Sequence, residues 1–176
     1  MILTAEALTA RAYAPFGDVV SAERDDVASK AANQGTAARR DHLVDLANGR
    51  PHARLNVASF RCAPHTQWPK ALALLERHPH STQLFVPMNA QRYVVVVALG
   101  GDAPDLSTVR AFVASGTQGV SYRPGVWHHP MIALDAPTDF TCFVWEDGTA
   151  QDCDVRPLDR DAVTVSLPSL VSRQTL

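Results

Sequence analysis

A chain of 176 residues, 46% hydrophobic and 19% charged, has the balance of one folded domain and excludes a disordered or low-complexity chain. Its formal net charge of −2 excludes the sequence-independent hold on nucleic acid that a basic surface provides. The longest apolar run, 93–99, is too short to cross a bilayer, and MILTAEALTARAY lacks the basic-then-apolar layout of a secretory signal. Three widely spaced cysteines, Cys62, Cys142 and Cys153, fit reduced thiols and a cytoplasmic chain.

In chain order, the first predicted element is a short helix within 1–16. Thr4 serves as its N-cap, Leu3 and Leu8 as a hydrophobic staple, and it ends before Pro15. Residues 21–36 are polar and alanine-rich and read as a loop. Residues 54–61 alternate polar and apolar side chains, the mark of a half-buried strand. PKALALLER, 69–77, has the spacing of one or two helical turns. Strands are predicted at 82–87 and 92–99. The second of these, RYVVVVALG, is β-branched with no polar partner, so both of its faces should be buried. Further strands are expected at 109–113, 120–122, 128–134 and 139–146. A weak strand at 163–165 lies in a peripheral tail, 158–176. Short strands spaced by Gly, Pro, Asp and Asn point to a mainly β chain, an antiparallel barrel or jelly roll, rather than to βαβ units. The expected organisation is a single domain over 1–176.

Two clusters carry the chemistry. The first, ERHPHSTQ (76–83), holds Glu76, His78, His80 and Gln83. The second, RPGVWHHP (123–130), holds adjacent histidines behind a Pro-Gly turn. Side chains alternate along a strand, so His78 and His80 share a side if the chain is extended there, and only one of His128 and His129 can face inward. Imidazole offers a neutral nitrogen ligand or a proton carrier, and a carboxylate offers charge. A lone histidine is more often a structural residue. A Glu/His/His/Gln group with a second His pair favours a site.

Three longer stretches, ERHPHSTQLFVPM (76–88), RYVVVVALGGDAPDLSTVRAF (92–112) and GVSYRPGVWHHPMIALDAPTDF (119–140), resemble the ureidoglycolate lyases of allantoin degradation. The resemblance extends more weakly from 12–20 to 151–155. It implies a cupin-like barrel, a homodimer, and a lyase that splits (S)-ureidoglycolate into glyoxylate and urea. No organic cofactor is implied. Pro124-Gly125-Val126-Trp127-His128 is close to the second cupin motif, which nominates His128, while His129 reads as structural. His80 falls at a variable position of the family motif.

By the resemblance, Glu76, His78 and His128 are the catalytic candidates. Gln83, Trp127 and Arg40 or Arg61 are the candidates for holding substrate, the arginine for its carboxylate; Trp127 also reads as packing at the barrel mouth. A divalent metal such as Ni2+ would take His78, Gln83 and His128. Glutamine stands where a cupin carries a carboxylate, and an amide oxygen binds metal more weakly. Two rivals are a non-catalytic cupin-like module that binds a small carboxylate and a metal-dependent oxygenase, which would need stronger ligands than Gln83.

Overall fold

The computed structural model describes residues 1–169. Two sheets pack face to face. In one, the order is Asp154–Pro157, Leu74–Arg77, Trp127–His128, Arg92–Ala98, Arg110–Ser115 and Glu6–Ala7, and Ile132–Ala133 also pairs with Arg92–Ala98. In the other, it is Val19–Val20, Gly119–Tyr122, Gln83–Pro87, Thr138–Glu146 and Arg54–Cys62. Nearly all of these pairings are antiparallel, and the result is a mainly β fold of two packed sheets, as expected.

The strand Arg92–Ala98 explains why the core has two halves. Tyr93 to Ala98 are each 1% exposed or less. Tyr93, Val95 and Val97 face the space between the sheets, where they meet Phe85, Phe140 and Cys142. Val94, Val96 and Ala98 face the other way, toward Leu72, Trp127 and Val165. The predicted burial of both faces follows from this position, and each such valine contributes about 1.5–3 kcal/mol of burial.

Several expectations need correction. Thr4 caps no helix, because Ile2–Thr4 is drawn into parallel pairing with Thr164–Ser166, and Ala5 N–H continues the ladder to Ser166 O at 2.8 Å. The helix is Ala10–Tyr13, and its cap is Thr9, whose Oγ1 accepts from Ala12 N–H at 3.2 Å. PKALALLER forms no helix either. Lys70–Ala71 pairs with Thr164–Ser166, and Leu74–Arg77 lies between two strand partners. Tertiary pairing overrides helix propensity in both places. Within 21–36, Lys30–Ala32 is a strand and pairs with Ala37–Arg39 in a small hairpin. The expected strand 128–134 is two pieces, Trp127–His128 and Ile132–Ala133, divided at Pro130, which has no N–H for the ladder. The start of the tail is not peripheral: Val163 and Val165 are fully buried, and the weak strand expected there is Thr164–Ser166. The rest of that tail, 170–176, lies outside the described residues.

Candidate active site

Strand register decides which histidine of RPGVWHHP faces inward. His128 pairs with Val97 on one side and Glu76 on the other. Val97 belongs to the core between the sheets, so the row Val97, His128, Glu76 points there together. Trp127 pairs with Ala98 and takes the opposite face. On the second sheet, Tyr122, Gln83 and Val144 form the matching row. Gly125, at φ +80, turns the chain ahead of this strand, and its N–H donates to His78 O at 2.9 Å. That bond ties the two sequence clusters to each other.

The imidazole of His128 is 1% exposed and has two nearly parallel rings beside it. The Tyr122 ring stacks on it with centroids 3.9 Å apart and planes within 3°, and the His78 ring lies on it at 5.8 Å and 15°. Val126 O sits 3.0 Å from Nδ1. A carbonyl only accepts, so Nδ1 carries the hydrogen and Nε2 is left bare. Nε2 lies 3.6 Å from Glu76 Oε1. Burial, reinforced by His78, lowers the His128 pKa to about 3, so the ring is neutral across the physiological range. Burial also lowers His78 and raises the carboxyl of Glu76.

Among the described residues, three of the five buried side-chain polar atoms without a hydrogen-bond partner are His78 Nδ1, Gln83 Oε1 and His128 Nε2. Such atoms are rare in folded proteins because each one costs about 1–3 kcal/mol. Their concentration on the facing rows marks a place built for a polar guest. Two neutral imidazole nitrogens, an amide oxygen and a nearby carboxylate suit a borderline divalent cation in chemistry. Among the described residues no three His, Cys, Asp or Glu side chains already converge as a metal cage. Gln83 would therefore have to complete the ligand set.

The family profile for ureidoglycolate lyase matches residues 1–166. The chain belongs to the ureidoglycolate lyase family. Relatives bearing that name include those of Burkholderia cepacia, 44% identical over 160 residues and covering 90% of this chain and 87% of the relative; Pseudomonas syringae pv. tomato, 38% identical over 152 residues and covering 86% and 87%; and Stutzerimonas stutzeri, 37% identical over 171 residues and covering 97% and 98%. A solved dTDP sugar isomerase from Desulfovibrio desulfuricans G20 aligns at a TM-score of 0.47 with 16% identity, covering 84% of this chain and 88% of the isomerase.

In this ureidoglycolate lyase family member, Glu76, His78, Gln83 and His128 come together, whereas the other nominated residues do not join them. Trp127 is fully buried in the second half of the core, its Nε1–H donating to Gly101 O at 3.1 Å and the Arg77 guanidinium lying 4.9 Å from its ring centroid. Arg61 is held by Asp139 through bonds of 2.7 and 2.8 Å and is 78% exposed. Its register position opposite Asp139 puts it on the outer face, alternate to the row of Val144. Arg40 donates to Arg24 O at 2.6 Å and lines a cavity of about 440 Å³ under the 30–39 hairpin, with Val20, Asn33 and Leu43. His129 bonds Pro130 O through Nδ1 at 2.6 Å, and burial lowers it to about 4.

The sequence reading missed two residues at the cluster. Tyr122 is one; its signal was its place in a predicted strand before RPGVWHHP, but its partner is set by the register with Gln83. Glu146 is the other. It lies two residues beyond Val144 on the same face, takes Asn56 Nδ2–H at 2.8 Å, and its charge partly opposes the lowering of His78 by burial.

Proposed function

We propose that this chain cleaves (S)-ureidoglycolate to glyoxylate and urea. The observation that carries the reading is the convergence of three unpartnered polar atoms, on His78, Gln83 and His128, beside a carboxylate with an elevated pKa. The relatives bear the name of that activity.

The substrate is a carbinolamine, so cleavage moves one proton. The hydroxyl O–H breaks as C=O forms, the C–N bond breaks, and the departing urea nitrogen gains the proton. Glu76 is the base for the hydroxyl, since an elevated carboxyl pKa lies nearer the working pH. Once protonated, Glu76 is the acid for the leaving nitrogen, and no proton is consumed overall. His128 Nε2, 3.6 Å from that carboxylate, is a second acceptor beside it and orients the donors of the substrate. Gln83 Oε1 accepts from the ureido N–H groups, and stacking on Tyr122 keeps the His128 ring in plane.

A divalent ion such as Ni2+ would be held by His78, Gln83 and His128 with Glu76 alongside, and when bound it supplies Lewis-acid polarisation of a substrate oxygen. With an amide in place of the usual carboxylate, its affinity would be modest.

The homodimer reading is supported by the strand Arg54–Cys62. It is a nine-residue sheet edge with Leu55, Val57 and Phe60 each more than 40% exposed, a surface that edge pairing with a second copy would cover. Among the described residues no helix is long and apolar enough to cross a membrane. The three free cysteines fit a reducing cytoplasm.

Incubation with racemic ureidoglycolate, with and without a chelator, tests the assignment. Release of urea and glyoxylate in both arms supports catalysis by the side chains alone. Loss of release on chelation, restored by Ni2+, assigns the ion a part. Glyoxylate binding without release in either arm makes the protein a binding module.

A further inference from the structure

The residues 45–50 form a strap along the rim of the candidate site. Thr82 N–H donates to Ala47 O at 3.1 Å, Ala47 N–H donates to Thr82 Oγ1 at 3.1 Å, and Gly49 N–H donates to His80 O at 2.7 Å. The strap is thus bonded to the short turn that separates His78 from Gln83. On its other side, Trp145 Nε1–H donates to Leu46 O at 2.9 Å.

Arg50 fastens the end of the strap. Its side chain is 13% exposed, and its guanidinium pairs with Asp152 and, at 3.0 Å, with Asp147. Asp152 in turn accepts Asp147 N–H at 3.1 Å and Gly148 N–H at 2.7 Å, so its carboxylate organises the whole 147–152 turn. Beyond this turn, Asp154–Pro157 pairs with the strand that bears Glu76. Two carboxylates on one guanidinium leave the cluster net negative, which disfavours a second role for Arg50 in holding a substrate carboxylate. Its Nε–H is buried without an acceptor, a cost that the two aspartates offset.

We infer that Arg50 is a positioning residue for the reaction: through Asp147 and Asp152 it fastens the 45–50 strap to the 147–152 turn, and through the strap's bonds to the 80–82 turn it keeps His78 and Gln83 in register with His128. The inference rests on the proposed lyase reading, and its test includes a measurement that does not need turnover.

Arg50→Gln and Arg50→Lys are compared with Arg92→Gln, which breaks an arginine–carboxylate pair with Asp135 on the surface. With Arg50→Gln, kcat on ureidoglycolate should fall about 10²-fold with little change in KM, the scale expected for a misplaced reacting group. Arg50→Lys should restore part of the loss, and Arg92→Gln should leave kcat as it is. In protein labelled with 15N-histidine, the His78 ring shifts should move in Arg50→Gln and stay in place in Arg92→Gln. A lower melting temperature with unchanged kcat and unchanged His78 shifts would reduce Arg50 to a structural brace and overturn the inference. If Arg50→Gln does not fold, Asp152→Asn carries the same two readouts with the same expected directions. If wild-type protein shows no turnover, the lyase reading fails, while the ring shifts still decide whether Arg50 positions His78.

Discussion

Replacing Glu76 by glutamine separates what this residue does for the reaction from what it does for the fold. In the wild type, a carboxylate oxygen faces the bare Nε2 of His128 at 3.6 Å, two acceptors without a hydrogen between them. Burial raises the carboxyl pKa, so the folded state holds its proton more tightly than the unfolded chain. A carboxyl of this kind contributes stability below its unfolded pKa and loses it as pH rises through the folded value; above that value the buried charge is a net cost. The amide of Glu76→Gln carries no charge and can donate to His128 Nε2, a hydrogen bond worth about 1 kcal/mol. At pH 8 the variant should melt about 2–4 °C above wild type, and the gap should close toward pH 4, where Glu76 is itself protonated. The same change removes the proposed base, so kcat should fall by about 10²–10⁴, or roughly 3–5 kcal/mol in activation free energy. Thermal unfolding across pH and steady-state release of urea measure the two halves. A variant that keeps kcat within threefold, or that loses stability at pH 8, refutes the reasoning.

The remaining predictions concern the neighbours of Glu76. His128→Ala should abolish measurable turnover while His129→Ala keeps most of it, since register puts only the first between the sheets; the opposite pattern in the same assay would reverse the choice. Because His128 stays neutral down to about pH 3, the kcat profile should lack an imidazole inflection near 6.5, and its acid limb should fall above the ordinary glutamate value as Glu76 gains its proton. Arg61→Gln should leave KM for ureidoglycolate unchanged, because that guanidinium is already engaged by Asp139 on the outer face. Val57→Lys should shift a dimer to monomer in sedimentation if Arg54–Cys62 is the paired edge, and an unchanged mass would exclude that edge.

The strands most legible in the sequence were those whose partners hardly mattered. Arg92–Ala98 is β-branched throughout and sits in the middle of the fold, and Thr138–Glu146 alternates buried and half-buried residues along its length. The two failed helix readings, at Thr4 and PKALALLER, concern segments whose fate is set by strands from distant parts of the chain, Thr164–Ser166 and Asp154–Pro157. The grouping of Glu76, His78, Gln83 and His128 could be anticipated because the family resemblance spans both clusters, and strand alternation, a local property, allowed only one of His128 and His129 to face inward. The arginines could not be sorted the same way. Whether Arg61 is free depends on Asp139, 78 residues away, and whether Arg50 matters depends on Asp152, 102 residues away. Tyr122 stayed hidden for a related reason: its stacking on His128 is a contact between two sheets.

The most direct test of the account is to follow racemic ureidoglycolate with purified wild type and His128→Ala side by side, measuring urea and glyoxylate together. The account predicts equal amounts of both products from the wild type, stopping when half of the racemate is consumed, and neither from the variant above the uncatalysed rate. Wild-type protein that releases neither product, or a variant that matches the wild type, would contradict it.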